Sequence, residues 1–216
     1  MRIAGLWRYP IKSMAGEPLQ RADLRLDGIA GDRVAQVRDA RGRVVTARTH
    51  PKLLGHRATL GADGEPRVDG RPWRSEEVAR DVARAAGQGA RLVRDDSPER
   101  FDVLPLLVAT DGAIEAFGYD GRRLRPNIVI AGVDGLAERQ WEERILRTGT
   151  ALIGLHSLRA RCVMTTFDPD TIAQDAGVLR HIQAAFGGKL ALNAYVIREG
   201  VLTVGDEAVL LDREEG

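Results

Sequence analysis

Cysteine is all but missing from this sequence: Cys162 is the one example in 216 residues. A single thiol excludes an internal disulfide framework and an iron–sulfur cluster, and it fits a reducing compartment. Lysine is scarce as well. Lys12, Lys52 and Lys189 are the only three, so arginine supplies the other 29 of 32 basic residues. The 31 acids offset them to a net charge of +1, which gives no case for a nucleic-acid surface. No apolar run reaches the ~20 residues that cross a bilayer. The opening stretch MRIAGLWRYPIKSMAG lacks the basic flank, apolar segment and small-residue cleavage site of a secretory signal. A cytoplasmic protein with no membrane association is therefore the expectation.

Several site motifs are missing too. A zinc site needs Cys and His at close spacing, whereas His50, His56, His156, His181 and Cys162 are scattered. GGKLA lacks the upstream glycine and the following Ser or Thr of a phosphate loop. GQGARL begins like a dinucleotide fingerprint but carries Leu92 where the third glycine belongs. His156 and Cys162 on one strand would lie about 20 Å apart, too far to share a proton. Another histidine could still approach that cysteine through the fold, so a Cys–His nucleophile stays open.

What is present suits an ordinary globular chain, 44% apolar and 29% charged. Short apolar stretches alternate with turn signals. RVAQVRDARGRVVTAR reads as a hairpin about DARGR, and HRATLGADGEPRVDG as a second about ADGE. DVLPLLVA, RRLRPNIVIAG, EERILRTGTALIGLHSLRARCVM and LALNAYVIREGVLTVGDEAVLL supply further strands. Three helices are expected. SEEVARDVARAAG has Ser75 as N-cap, Gly87 as terminator and Val78, Val82 and Ala85 on one face. TDGAIEAFG is opened by Thr110 or Asp111, and DAGVLRHIQAAFGG carries a stripe of Val178, Ile182 and Ala185. Many short strands and few helices favour β-barrel architecture over a doubly wound sheet. A boundary falls near RDDSPER, dividing residues 1–95 from 96–216.

Four fragments place unusual polar groups beside rigid or small residues: YPIKSM with Lys12 and Ser13, GDR with Arg33, RLRPNIVI with Arg125 and Asn127, and RARCVMTT with Arg161 and Cys162. Singly, each has a bland explanation: a solvated or surface-paired charge, a turn cap, or, for Cys162, an inert small core residue. In this order they resemble one family. The chain is similar to MOSC-domain proteins, named for the C-terminal domain of molybdenum cofactor sulfurase, and in pattern to the amidoxime-reducing component proteins. LWRYPIKSMAGEPLQRADLRLDGIAGDR with VVTARTHPKLL resembles the N-terminal β-barrel region. RLRPNIVI, RCVMTTFDPDT and VIREGVLTVGDEAVLL resemble the MOSC domain proper.

The resemblance implies a mainly β fold, an N-terminal β-barrel region packed on a MOSC β-barrel with a few short helices. It implies Cys162 as catalytic residue and thiolate ligand of molybdenum in a molybdopterin (Mo–pyranopterin) cofactor, with pyridoxal phosphate binding attached only at family level. A high-valent, sulfur-ligated metal accepts a soft thiolate. Lys12, Ser13, Arg33, Arg125, Asn127 and Arg161 match cofactor-contacting positions, and Thr110 joins them because helix N-termini attract anions. Asp168 either shapes the loop after the ligand or faces substrate.

The activity implied is molybdenum-dependent reduction of small N-hydroxylated compounds such as amidoximes, hydroxylamines and N-hydroxylated bases. Electrons would come from an external donor protein. The alternatives are a non-catalytic carrier of cofactor or of sulfur on Cys162, the Cys–His enzyme, or a barrel that has lost cofactor binding. One departure stands out. The family reads Asp-Pro-x-Thr-Gly after the cysteine, and here Ile172 replaces that glycine. Isoleucine resists a positive φ, so the loop rim is expected to differ.

Overall fold

A computed structural model describes residues 1–212; the last four residues of the expected second region lie outside the described residues. Strands dominate, with three α-helices among the described residues: α1 (Glu76–Ala86), α2 (Asp111–Phe117) and α3 (Ala176–Phe186). The mainly β expectation holds, and both expected hairpins form. Ala35–Arg38 pairs antiparallel with Val44–Val45, and Ala58–Leu60 with Pro66–Val68.

The main layer is an eight-stranded sheet. Its order is Ala208–Leu211, Ile145–Thr148, Ala151–Ala160, Lys189–Arg198, Leu106–Thr110, Ile128–Ala131, Arg2–Arg8 and Glu17–Leu19. All neighbours run antiparallel except Leu106–Thr110 beside Ile128–Ala131. Parallel neighbours need a crossover connection, and α2 supplies it. Three smaller sheets have three strands each. Among the described residues, the strand order of every sheet runs from edge to edge and none closes into a ring.

The N-terminal stretch is stitched into the rest. Arg2–Arg8 pairs with Ile128–Ala131, and Arg21–Arg25 pairs with Gly200–Thr203. Two apolar cores result. One lies along the large sheet and joins Ile3 and Leu6 to Val108, Ile128, Ile153 and Leu192. The other gathers Ile11, Met14, Val37 and Leu53 against Val78 and Val82 of α1. Burying each such side chain contributes about 1.5–3 kcal/mol, so both cores are substantial.

Helix ends follow local chemistry. Ser75 Oγ accepts the Val78 N–H at 3.3 Å, and Gly87 ends α1 with φ 99°. Helix α3 buries Val178 and Ile182 as its spacing predicts, but Phe186 completes the stripe and Ala185 is exposed. An i, i+4 step from Ile182 suits the large ring, which packs near Phe117 and Leu124 in a third small core. No helix among the described residues is long and apolar enough to cross a membrane.

The seam between the two main cores positions the site. The chain leaves the large sheet at Arg8 and enters the second core at Ile11. Lys12 and Ser13 therefore sit between two wholly buried anchors, Ile11 and Met14.

Candidate functional site

A pocket opens at this seam. Lys12 and Ser13 reach it from the N-terminal anchor, Arg33 from a turn, Arg125 and Asn127 from the lead into Ile128–Ala131, and Arg161 and Cys162 from the end of Ala151–Ala160. Seven cationic side chains line it (Lys12, Arg33, Arg48, Arg123, Arg125, Arg159, Arg161), against the one carboxylate of Asp102. Cys162 is half-buried on the same wall, not sealed in apolar packing.

The backbone at three of these positions is strained. Ser13, Arg33 and Arg125 have φ of 72°, 53° and 56°, in the left-handed region. Non-glycine residues there cost roughly 1–3 kcal/mol each and persist only where neighbours over-determine them. The neighbours do so: Met14 N–H donates to Ile11 O, Arg33 N–H to Tyr9 O and Arg125 N–H to Arg122 O, at 3.2, 2.8 and 3.0 Å.

Asp32 forms the inner node. Its carboxylate is buried and accepts from the Tyr9 N–H at 2.6 Å, from Asn127 Nδ2 at 3.2 Å and from the Arg33 guanidinium. Asn127 is otherwise committed to the fold, donating to Trp7 O and accepting from the Leu107 N–H, both at 3.2 Å. Its place is in the wall, with little donor capacity left for a ligand.

Asp102 forms the outer node. Lys12 Nζ lies 2.9 Å from its Oδ1, and Arg48 and Arg159 lie 2.6 and 3.5 Å from its Oδ2. Burial alone would raise this carboxyl, but the Lys12 hydrogen bond and charge, helped by Arg48 and Arg159, hold it below the usual carboxylate range. For Arg48, burial works downward, and Asp102 together with the Cys162 sulfur more than reverses it.

Two guanidiniums differ from the rest. Arg125 stacks over the Tyr9 ring at 4.2 Å and, among the described residues, its side chain has no carboxylate or hydrogen-bond partner. Arg161 donates one bond to Leu124 O at 2.7 Å, while its buried Nε has no partner. Burial pushes both down to about 10, so both stay charged at neutral pH but poorly solvated. Tyr9 beside them is pushed up to about 12 by burial, and its hydroxyl donates to Pro126 O at 3.1 Å. An unpartnered buried donor such as Arg161 Nε is costly, and Arg125 lacks a counter-charge among the described residues, so an anion in the pocket would meet unneutralised charge.

The structure thus brings together Lys12, Ser13, Arg33, Arg125, Asn127, Arg161 and Cys162, and leaves out Thr110. That residue is wholly buried. Its hydroxyl caps α2, accepting the Ala113 N–H at 3.1 Å, and donates to Glu138 at 3.3 Å, so it faces the fold and not the pocket. Sequence reasoning missed Arg48, Asp102 and Arg159. Arg159 carried a usable signal, since residues two apart on an extended segment share a face and Arg161 had been singled out. No histidine is among the residues that line this pocket, which leaves Cys162 without an imidazole partner there. Among the described residues no three His, Cys, Asp or Glu side chains cluster as a metal cage, and Cys162 is the one thiol that the pocket offers a metal.

The loop after Cys162 keeps the left-handed turn that isoleucine was expected to resist. Ile172 has φ 61°. Asp168 imposes it: its carboxylate accepts from the Asp170 and Thr171 N–H groups and the Thr171 hydroxyl at 2.9–3.1 Å, and Ile172 N–H donates to Asp168 O at 2.9 Å. Those bonds, led by the Thr171 N–H, hold the Asp168 carboxyl below its ordinary value. Arg123 lies 3.0 Å away. Asp168 is therefore a turn-shaping residue.

Comparison with known proteins follows the same lines. A family model described as MOSC N-terminal beta barrel domain matches residues 1–97, and one described as MOSC domain matches residues 111–209. Human mitochondrial amidoxime-reducing component 1 is 26% identical over 231 residues, covering 78% of this chain and 67% of the relative. Mitochondrial amidoxime reducing component 2 of Macaca fascicularis is 25% identical with the same coverages. The crystal structure of the YUAD protein from Bacillus subtilis superposes with a TM-score of 0.50 over 98% of this chain and 95% of that one, at 14% identity, a likeness of fold alone.

Proposed function

The chain belongs to the MOSC family, and from that premise we propose that it is a molybdenum-cofactor-dependent oxidoreductase that reduces small N-hydroxylated compounds. One observation carries the reading: a half-exposed lone cysteine shares its pocket with seven cationic side chains, of which Arg125 and Arg161 retain unpartnered donors. A sulfur donor beside unneutralised cations fits an anionic, sulfur-ligated metal cofactor better than it fits an apolar ligand.

In this proposal Cys162 is the protein's thiolate ligand to molybdenum. Lys12, Arg33, Arg125 and Arg161 would hold the anionic cofactor, and Ser13 would add a donor. When bound, the molybdenum–pterin group supplies two-electron chemistry. The overall change is N–OH plus two electrons and two protons to N–H plus water. The chain's own residues hold and orient the cofactor, and its low-solvation arginines strengthen each electrostatic contact to it. Electrons come from a separate donor protein, a reading supported by the single cysteine of this sequence, which is too few for an iron–sulfur relay, and a reducing, cytoplasmic setting suits a lone thiolate.

Purified protein from a host that makes the cofactor should contain molybdenum near one equivalent and reduce an amidoxime with an artificial electron donor. Cys162→Ala should lose the molybdenum and the activity, with folding stability changed by less than about 1 kcal/mol because the thiol is small and half-buried. Molybdenum bound without turnover would support a carrier role; no molybdenum in wild-type protein would overturn the assignment.

A further inference from the structure

We propose that a second cavity, behind the Cys162 pocket, is a binding site for a planar aromatic monoanion. It has a volume of about 330 Å³, against about 90 Å³ for the first, and lies within the range of small-molecule sites. The two share only a wall made of Arg123, Arg125 and Met164.

The lining specifies the ligand. Trp7, Tyr9 and Phe167 present aromatic surface, which favours a flat ring. Four arginines line the cavity, and two are neutralised locally. Arg122 forms a two-point pair with Asp170 at 2.6 and 2.9 Å, and Arg123 lies 3.0 Å from Asp168. Arg125 stands in the wall shared with the first pocket, where the cofactor would take it, and stacks on the Tyr9 face. Arg57 lines the second cavity alone and has no side-chain partner among the described residues. With Asp170, the lining carboxylate, already held by Arg122, the free charge of the cavity is positive. An apolar or cationic ligand would leave the Arg57 guanidinium unpaired; one carboxylate or phosphate on a ring would reach it.

The rim is shaped by the strained loop. Gly55 lines the cavity, and a Cβ built on it would lie 3.7 Å from the Ile172 side chain. The left-handed turn at Ile172 thus brings that side chain up to the mouth.

The site does not depend on molybdenum, so its test is independent of the activity proposed above. The probe is 2-naphthoate, with its neutral amide as control, titrated into full-length protein made with and without cofactor. Calorimetry and Trp7 emission are the readouts; Trp73 and Trp141 are 6% and 5% exposed and do not line the cavity, so Trp7 supplies the quenching. Both preparations should bind one equivalent, with the amide at least tenfold weaker. Arg57→Gln should weaken naphthoate at least tenfold. Gly55→Leu, which has room for its Cβ, should block it, and Arg48→Gln, which touches only the first pocket, should leave it unchanged. The proposal is overturned if Arg57→Gln and Gly55→Leu bind like wild type. It is equally overturned if Arg48→Gln carries the loss, or if cofactor-loaded protein no longer binds, since the probe would then be sitting in the Cys162 pocket.

Discussion

Two aspartates hold cations of the Cys162 pocket, Asp102 on its lining and Asp32 buried in the wall behind Arg33 and Asn127, and their circumstances differ in one respect. Asp32 has no side-chain exposure and bonds to a backbone N–H, an amide and a guanidinium, all parts of the wall. Asp102 is 29% exposed and bonds to the ends of three flexible side chains, Lys12, Arg48 and Arg159. The first interaction builds the site. The second neutralises it. A buried carboxylate with fixed partners cannot be replaced by a ligand, whereas an exposed one among mobile cations competes with any anion that enters. The cluster at Asp102 is thus exchangeable, and the arrangement at Asp32 is permanent.

The comparison sharpens into experiments. Asp32→Ala should cost about 3–5 kcal/mol in chemical denaturation, because it leaves Arg33, Asn127 and the Tyr9 N–H buried without their acceptor. A loss below about 1 kcal/mol would remove the distinction between the two aspartates. Asp102→Asn should cost only about 1 kcal/mol at neutral pH, since its partners can turn to water. The same variant should bind inorganic phosphate about tenfold more tightly, measured by calorimetry.

Acid distinguishes Asp102 further. Its carboxyl is held below the unfolded value, so its stabilisation is complete above the ordinary pKa of about 4 and is lost as pH falls through the lower folded value. Denaturation curves of wild type and Asp102→Asn should therefore start to converge as pH falls below about 4 and meet once it is below the lowered folded value; a difference that persisted at that acid limit would assign the effect to shape and not charge. The smallest effect lies at the loop. Ile172→Gly relieves about 1–2 kcal/mol of left-handed strain and gives back 0.5–1 in chain entropy, for a net gain of roughly 0.5–1 kcal/mol in thermal unfolding.

Much of the architecture was legible. Ser75 caps α1 and Thr110, one of the two residues expected to open α2, caps that helix, because each side chain reaches an N–H three residues on. The hairpins about DARGR and ADGE are equally local. The misreadings share a cause. Phe186 was passed over for Ala185 because the period allows either, and packing against Phe117 decided. At Ile172, residue preference argued against a turn that the Asp168 hydrogen bonds impose.

The sequence by itself determined the mainly β class, the helix ends and the inventory of groups able to meet an anion, since these depend on neighbours a few residues apart. Which of those groups remain available was decided by the tertiary structure alone. Asn127 is held by Asp32 and Trp7 and Thr110 by Glu138, partners 28 to 120 positions away, while Lys12 meets Asp102 in an exchangeable cluster and Arg125 finds no carboxylate among the described residues. Hydrogen-bond capacity is finite, and only the folded chain shows where it has gone.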